Sequence, residues 1–136
     1  MSILEISTNG PGLYEFTDQL APHVPNSGAM NIFVRHTSCS LLIQENADPS
    51  VQTDLQNFFH RLVPPSDAPS MSYLTHIYEG TDDMPAHIKA AMLPTSLTIP
   101  VISGRLALGK WQGVYLFEHR TRPHRRQVVL TALSGA

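Results

Sequence analysis

Eleven prolines in 136 residues limit how far any regular element of this chain can run. A proline removes a backbone donor and fixes its own φ, so it fits turns and the first turn of a helix but not element interiors. The sequence therefore predicts many short elements. Asn9-Gly10-Pro11-Gly12 is turn chemistry between two strand-like stretches, 3–8 and 12–17. A short helix over 17–23 is cut by Pro22 and Pro25. Residues 30–35 and 38–44, rich in Ile, Val, Leu and Phe, predict strands, with His36-Thr37 at their junction. Asp48 can cap a helix that Pro49 begins, and Val51, Leu55, Phe58, Phe59 and Leu62 recur on one helical face before Pro64-Pro65 stops it. A second main helix is expected over 84–93, preceded by Asp82-Asp83 and ended by Pro94. Strands over 97–102, 114–119 and 127–132 make the last third β-rich. Strands, two helices, then strands indicate α+β rather than alternating βαβ units.

The proline-rich run 64–70 separates two halves, each too short for a core of its own, so residues 1–136 are read as one domain with a surface loop. At 42% hydrophobic and 15% charged, the composition is that of a globular domain. A net charge of −2 offers no global field for nucleic acid or an anionic membrane. No stretch has the length and apolarity of a membrane span, and the N-terminus lacks a basic segment followed by an apolar one. Cys39, the single cysteine, excludes an internal disulfide and suits a reducing, cytoplasmic compartment. Its expected role is that of a small core residue.

The densest polar segment is 36–54. Glu45, Asn46 and Asp48 lie between a strand end and a helix N-terminus, a junction that can serve a cation or a phosphate, or simply cap the helix. His87 shares a face of the second main helix with Met84 and Ala91 and is expected to point inward, as a structural histidine or as a ligand. With His36 and His76 it can complete a three-nitrogen metal site that keeps an open position, provided the loops converge. Ser38 shares the strand face of His36, but no nucleophile-elbow motif surrounds it. Residues 104–113, with three glycines, Arg105, Lys110 and the only tryptophan, Trp111, suggest a hairpin whose Trp packs into the core. The alternative is a surface where Arg105 meets phosphate and Trp111 stacks on a heterocycle. Residues 120–126 hold four of the nine Lys and Arg and read as a solvated loop, or as a phosphate rim.

HTSCSLLIQENADPSV, YLTHIYEGTDDMPAHIKAAML, LTIPVISGRLALGKWQGVYLFEHR and the closing RRQVV stand in the order of the YjbQ family, which the chain resembles over nearly its whole length. Its members are also called secondary thiamine-phosphate synthase enzymes. The resemblance implies a single α+β domain of coiled, bifurcated, mostly antiparallel sheets, assembled as a homotrimer. It implies a pocket in which Glu45, Asp48, Ser38 and Glu118 are catalytic and Thr37, Asn46, Asp54, Arg105, Trp111 and Gln112 bind substrate. His36, His76 and His87 would hold a divalent metal, zinc by ligand type. Magnesium would instead suit Glu45, Asp48 and Asp54. Relatives carry an acidic-Gly-Pro-Arg turn after the Glu, where this chain has His119-Arg120 and Arg122-Pro123, so that segment transfers poorly.

The implied activity joins a pyrimidine methyl pyrophosphate to a thiazole phosphate with loss of pyrophosphate, and the family name marks it as a secondary activity. The expected partner is thus a small phosphorylated metabolite. Two other readings fit the same residues: a metal-dependent hydrolase of a small phosphorylated or acyl substrate, and a non-catalytic trimeric binding module for a metabolite or metal.

Overall fold

The prolines do divide the chain as expected. The computed structural model describes residues 1–134. In chain order the elements are β1 (Ser2–Asn9), β2 (Gly12–Glu15), α1 (Thr17–Leu20), β3 (Gly28–Val34), β4 (Cys39–Glu45), α2 (Pro49–Leu62), α3 (Asp83–Met92), β5 (Ser96–Ile102), β6 (Arg105–Leu106), β7 (Gln112–Glu118) and β8 (Pro123–Leu133). Single turns of 3₁₀ helix lie at Ala21–His23 and Pro69–Met71. The class is α+β, with one short helix besides the two main ones.

Two antiparallel sheets, ordered β1-β8-β3-β5-β6 and β2-β7-β4, face each other across one core. Side chains alternate along a strand, so one face of each sheet supplies that core. Ile6, Met30, Ile32, Val34, Ile99, Val128 and Leu130 come from the larger sheet and Cys39, Leu41, Val114 and Leu116 from the smaller. Each such side chain, fully buried, contributes about 1.5–3 kcal/mol. Cys39 is a free, buried thiol, and burial pushes its pKa up to about 12, which makes it an inert core residue.

β7 is buried along almost its whole length because both of its faces are covered. Val114, Leu116 and Glu118 face the larger sheet, while Tyr115 and Phe117 face α2. Gln52 donates to the Tyr115 hydroxyl at 2.9 Å, and the Phe59 and Phe117 rings meet edge to face at 5.7 Å. α2 therefore docks along Gln52, Gln56, Phe59 and the following Val63. Phe58 and Leu62, expected on the inner face, are 58% and 50% exposed, because the helix is rotated by about one residue from the apolar stripe.

Two further expectations are revised. Ser103 and Gly104, with φ of 50° and 75°, make the tight turn between β5 and β6, so the hairpin precedes Trp111 instead of enclosing it. Trp111 is 56% exposed, with the Lys110 ammonium 4.8 Å from its ring centroid, and does not enter the core. Residues 120–126 are not a free loop: β8 begins at Pro123, and Arg120 and Arg126 are both committed to carboxylates.

Candidate metal centre

The polar residues of the sequence motifs fall at two ends of the smaller sheet. Cys39 pairs with Glu118 at one end and Glu45 with Gln112 at the other, about 20 Å apart at the usual rise per strand residue. At the far end, Glu45 Oε2 accepts from the Asp48 amide at 3.3 Å, and Asp48 Oδ1 caps α2 by accepting from the Ser50 amide at 2.9 Å. Those bonds from Ser50 hold the Asp48 carboxyl below its usual range. Asn46 donates its side-chain amide to Glu15, and Gln112 accepts from the Gly109 amide at 2.7 Å. Arg105 is exposed on β6, and Asp54 is exposed on the outer side of α2 beside Arg61.

At the near end, two networks meet. The first is buried. Glu118 is fully inaccessible, its Oε1 accepting from Thr8 Oγ1 at 2.6 Å and from Arg126 Nε at 2.8 Å. Arg126 also donates to Ser38 Oγ at 3.0 Å. Burial pushes the Glu118 carboxyl up, but the Arg126 and Thr8 hydrogen bonds outweigh it and hold it below the ordinary range. β8 alternation puts Arg126 on the same inward face as Val128 and Leu130, which is why an arginine from a cationic run reaches the interior. His36 stands beside this pair, half-buried, with Nε2 accepting from the Gln127 amide at 2.8 Å. Burial and then the Arg126 charge lower its pKa, so the ring is neutral with its proton on Nδ1.

The second network is open to solvent. Asp83, in the first turn of α3 and 3% exposed, is flanked by two histidines. His76 Nε2 lies 2.9 Å from Asp83 Oδ2, and His87 Nε2 lies 3.3 Å from the same oxygen. Asp83 and His87 are four residues apart on α3, hence on one face. One ligand atom from each of His76, Asp83 and His87 falls within 4.8 Å of the other two. His87 is half-exposed and not turned inward, because Pro85, Ala86 and Ala90 occupy the inner side of α3.

Surrounding residues hold two of the three donors in place, while His76 Nε2 also lies 3.0 Å from Glu79 Oε2. His87 Nδ1 donates to the Thr37 carbonyl at 3.0 Å, which leaves Nε2 to face Asp83. Arg120 donates from Nη1 to Asp83 Oδ1 at 2.6 Å and from Nε to Asp82 Oδ2 at 2.8 Å. Burial pushes the Asp83 carboxyl up, but His76, His87 and Arg120 more than offset it and keep it ionised. With Nδ1 donating, the Nε2 lone pair of a neutral His87 points toward a carboxylate oxygen, an arrangement that calls for a cation or a proton between them. Two imidazoles and a carboxylate, with His87 and Asp83 each oriented by an outer hydrogen bond, are a donor set that fits a borderline divalent ion such as zinc.

Thus the structure brings His76 and His87 together with the Thr37 backbone. Ser38 and Glu118 lie in the adjoining buried network with His36 half-buried beside it, and Glu45, Asn46, Asp48, Trp111 and Gln112 stand at the opposite sheet end. Asp83 escaped the sequence reading as a site residue, and Arg120 and Arg126 entered it only within the alternative of a phosphate rim. Two signals were there: the Asp83/His87 helical spacing, and the alternation of Arg126 with Val128 and Leu130.

The family model described as UPF0047 protein YjbQ-like matches residues 2–135. A UPF0047 protein of Synechocystis sp. is 51% identical over 132 residues, covering 94% of this chain and 87% of the relative. The UPF0047 protein YjbQ of Escherichia coli O157:H7 is 41% identical over 134 residues, covering 94% and 93%. Among solved structures, a conserved hypothetical protein from Thermus thermophilus superposes with a TM-score of 0.85 at 32% identity, covering 98% of this chain and 100% of that one. An uncharacterised conserved protein of the YjbQ/UPF0047 family from Clostridium acetobutylicum gives a TM-score of 0.85 at 27% identity with the same coverage. With the motifs, the two-sheet fold and these relatives in agreement, the chain belongs to the YjbQ (UPF0047) family.

Proposed function

We propose that this protein is a metal-assisted enzyme acting on a small phosphorylated metabolite, with a divalent ion held by His76, Asp83 and His87. The observation that carries the reading is the convergence of those three donors within 4.8 Å of one another. Zinc suits the set best, with Asp83 where the motifs suggested His36, whose Nε2 is occupied by the Gln127 amide. The named reaction is thiamine-phosphate synthase-like: the thiazole nitrogen attacks the pyrimidine methylene carbon, and the C–O bond to pyrophosphate breaks. A divalent ion at this site supplies Lewis-acid charge to the departing phosphate oxygens. The chain's own part is orientation. Arg120 fixes the Asp83 carboxylate and the Thr37 carbonyl fixes the His87 ring, so the donors need not reorganise as charge develops.

A second reading, hydrolysis of a small phosphate ester, is favoured by the same two-histidine, one-carboxylate set, which catalytic zinc sites use with an open position for water. We propose in addition that the protein is cytoplasmic, in keeping with its reduced Cys39, and acts as a homotrimer.

Elemental mass spectrometry on untagged protein is expected to give about one zinc-like ion per chain, lost in His76→Ala, Asp83→Asn and His87→Ala with the fold intact. Coupling of the two thiamine precursors, followed by pyrophosphate release, is expected to fall by roughly two orders of magnitude or more in His87→Ala. Phosphate-ester hydrolysis without coupling selects the second reading. Wild-type protein that stays metal-free after reconstitution overturns both.

A further inference from the structure

Behind the metal centre, on the other side of α3, a cavity of about 380 Å³ opens between α2 and α3. That volume lies in the range of small-ligand pockets. Phe59, Val63, Pro85 and Phe117 give it apolar walls. Helix geometry keeps it apart from the metal ligands. Asp82, Pro85 and Lys89, at i, i+3 and i+7, form one stripe of α3 toward the cavity, whereas Lys89 and His87 are about 200° apart around the axis.

Two nitrogen groups line this space without partners. Lys89 is 9% exposed as a residue; its ammonium keeps contact with solvent and has no hydrogen bond or ion pair among the described residues. His119 is 3% exposed. Its Nε2 lies 2.9 Å from Ser40 Oγ, while its Nδ1 is buried with no partner among the described residues. The nearby carboxylates are already engaged: Asp82 accepts from Arg120 and from the Thr121 amide at 2.9 Å, and Glu118 from Arg126 and Thr8. A buried ring nitrogen left unpaired is costly, native interiors supply partners to such groups, and the unpaired Lys89 ammonium offers a counter-charge for an anion in the same space.

We propose that this cavity is a binding site for a small monocarboxylate with an apolar, ring-sized body. One carboxylate oxygen accepts from the Lys89 ammonium and the other from His119 Nδ1–H, while the body packs among Phe59, Phe117 and Pro85. The site calls for the tautomer in which the Ser40 hydroxyl donates to Nε2 and the ring proton stands on Nδ1, a role that a hydroxyl can fill at 2.9 Å. A carboxylate brings two acceptor oxygens and a single charge, which one ammonium neutralises. A phosphate monoester brings a second charge, and no arginine lines the cavity to meet it.

The test uses phenylacetate as the probe, with phenylacetamide as its neutral isostere and phenyl phosphate as the dianion, titrated by ligand-observed NMR after chelation so that the metal reading plays no part. Phenylacetate is expected to bind the wild type about tenfold or more tightly than phenylacetamide. That preference is expected to disappear in Lys89→Met and to shrink in His119→Phe. Absence of phenylacetate binding, equal affinity for acid and amide, or tighter binding of phenyl phosphate overturns the proposal. The acid–amide comparison on wild-type protein decides it even where a variant fails to fold.

Discussion

His119 shows how a single buried side chain writes itself into the stability of the whole protein. Desolvation, with the Lys89 charge adding to it, lowers its pKa from the usual 6.5 to about 3. The folded state thus refuses a proton that the unfolded chain accepts below pH 6.5. Stability is full above that pH and is lost as pH falls from 6.5 toward 3, at about 1.4 kcal/mol per unit for a group that stays neutral when folded. Urea denaturation between pH 7 and 5 is expected to show this slope in the wild type and a clearly shallower one in His119→Gln. A residual slope is expected from His36, whose pKa is also lowered. Equal slopes in the two proteins would mean that His119 has a partner or that solvent reaches it.

At the level of elements, the loop leading into α3 supplies His76 and sets its approach to the two donors on α3. Gly80 sits in it with φ of +104°, and a Cβ there would come 2.8 Å from Asp82 Oδ1. Gly80→Ala is therefore expected to cost about 1–2 kcal/mol or more and to disturb the Asp82–Arg120 contact that orients Asp83. Thermal unfolding and metal occupancy, measured together, check this: a fall in both is expected, and an unchanged occupancy contradicts it. Elements were also what the sequence disclosed best. Pro49 and the Asp48 cap define the start of α2, and the apolar run that begins at Val114 marks β7 as a strand. What periodicity could not supply was rotation and partnership. The stripe Val51, Leu55, Phe58 and Leu62 specifies a helix, but the docking face is chosen by Tyr115 and Phe117, some sixty residues away in sequence. Likewise His36 and His76 have site-like neighbours in the sequence, and only the pairing of β3 with β8 reveals that the Gln127 amide binds His36. Asp83 was visible as a helix-start residue; that it joins two histidines depends on the path of the loop from 72 to 82.

For the whole molecule, the split of the motif residues between two ends of the smaller sheet bears on assembly. Phe58 and Leu62 on α2 and Tyr73, Ile77 and Tyr78 in the loop before α3 are large apolar side chains left open to water. Burying them between copies is the use that the proposed homotrimer makes of them. Size-exclusion chromatography with light scattering at micromolar concentration is expected to return about three times the 15.0 kDa chain mass. Phe58→Glu, on the exposed side of α2, is expected to shift the species toward monomer. A monomeric wild type refutes the assembly.

β8 lies between β1 and β3, yet it follows both in the chain. During synthesis, β1 and β3 therefore leave the ribosome with the slot between them empty, each presenting an unpaired edge to any other nascent chain. The eleven-residue strand that fills the slot also delivers Arg126 to Glu118, so the strand synthesised last carries the counter-charge of the buried carboxylate. A strand that entered one residue out of step would turn Arg126 to the outer face and strand Glu118 in the interior without its counter-charge. The ion pair thus ties strand register to electrostatics: the native register carries a compensated carboxylate, and a one-residue slip would not.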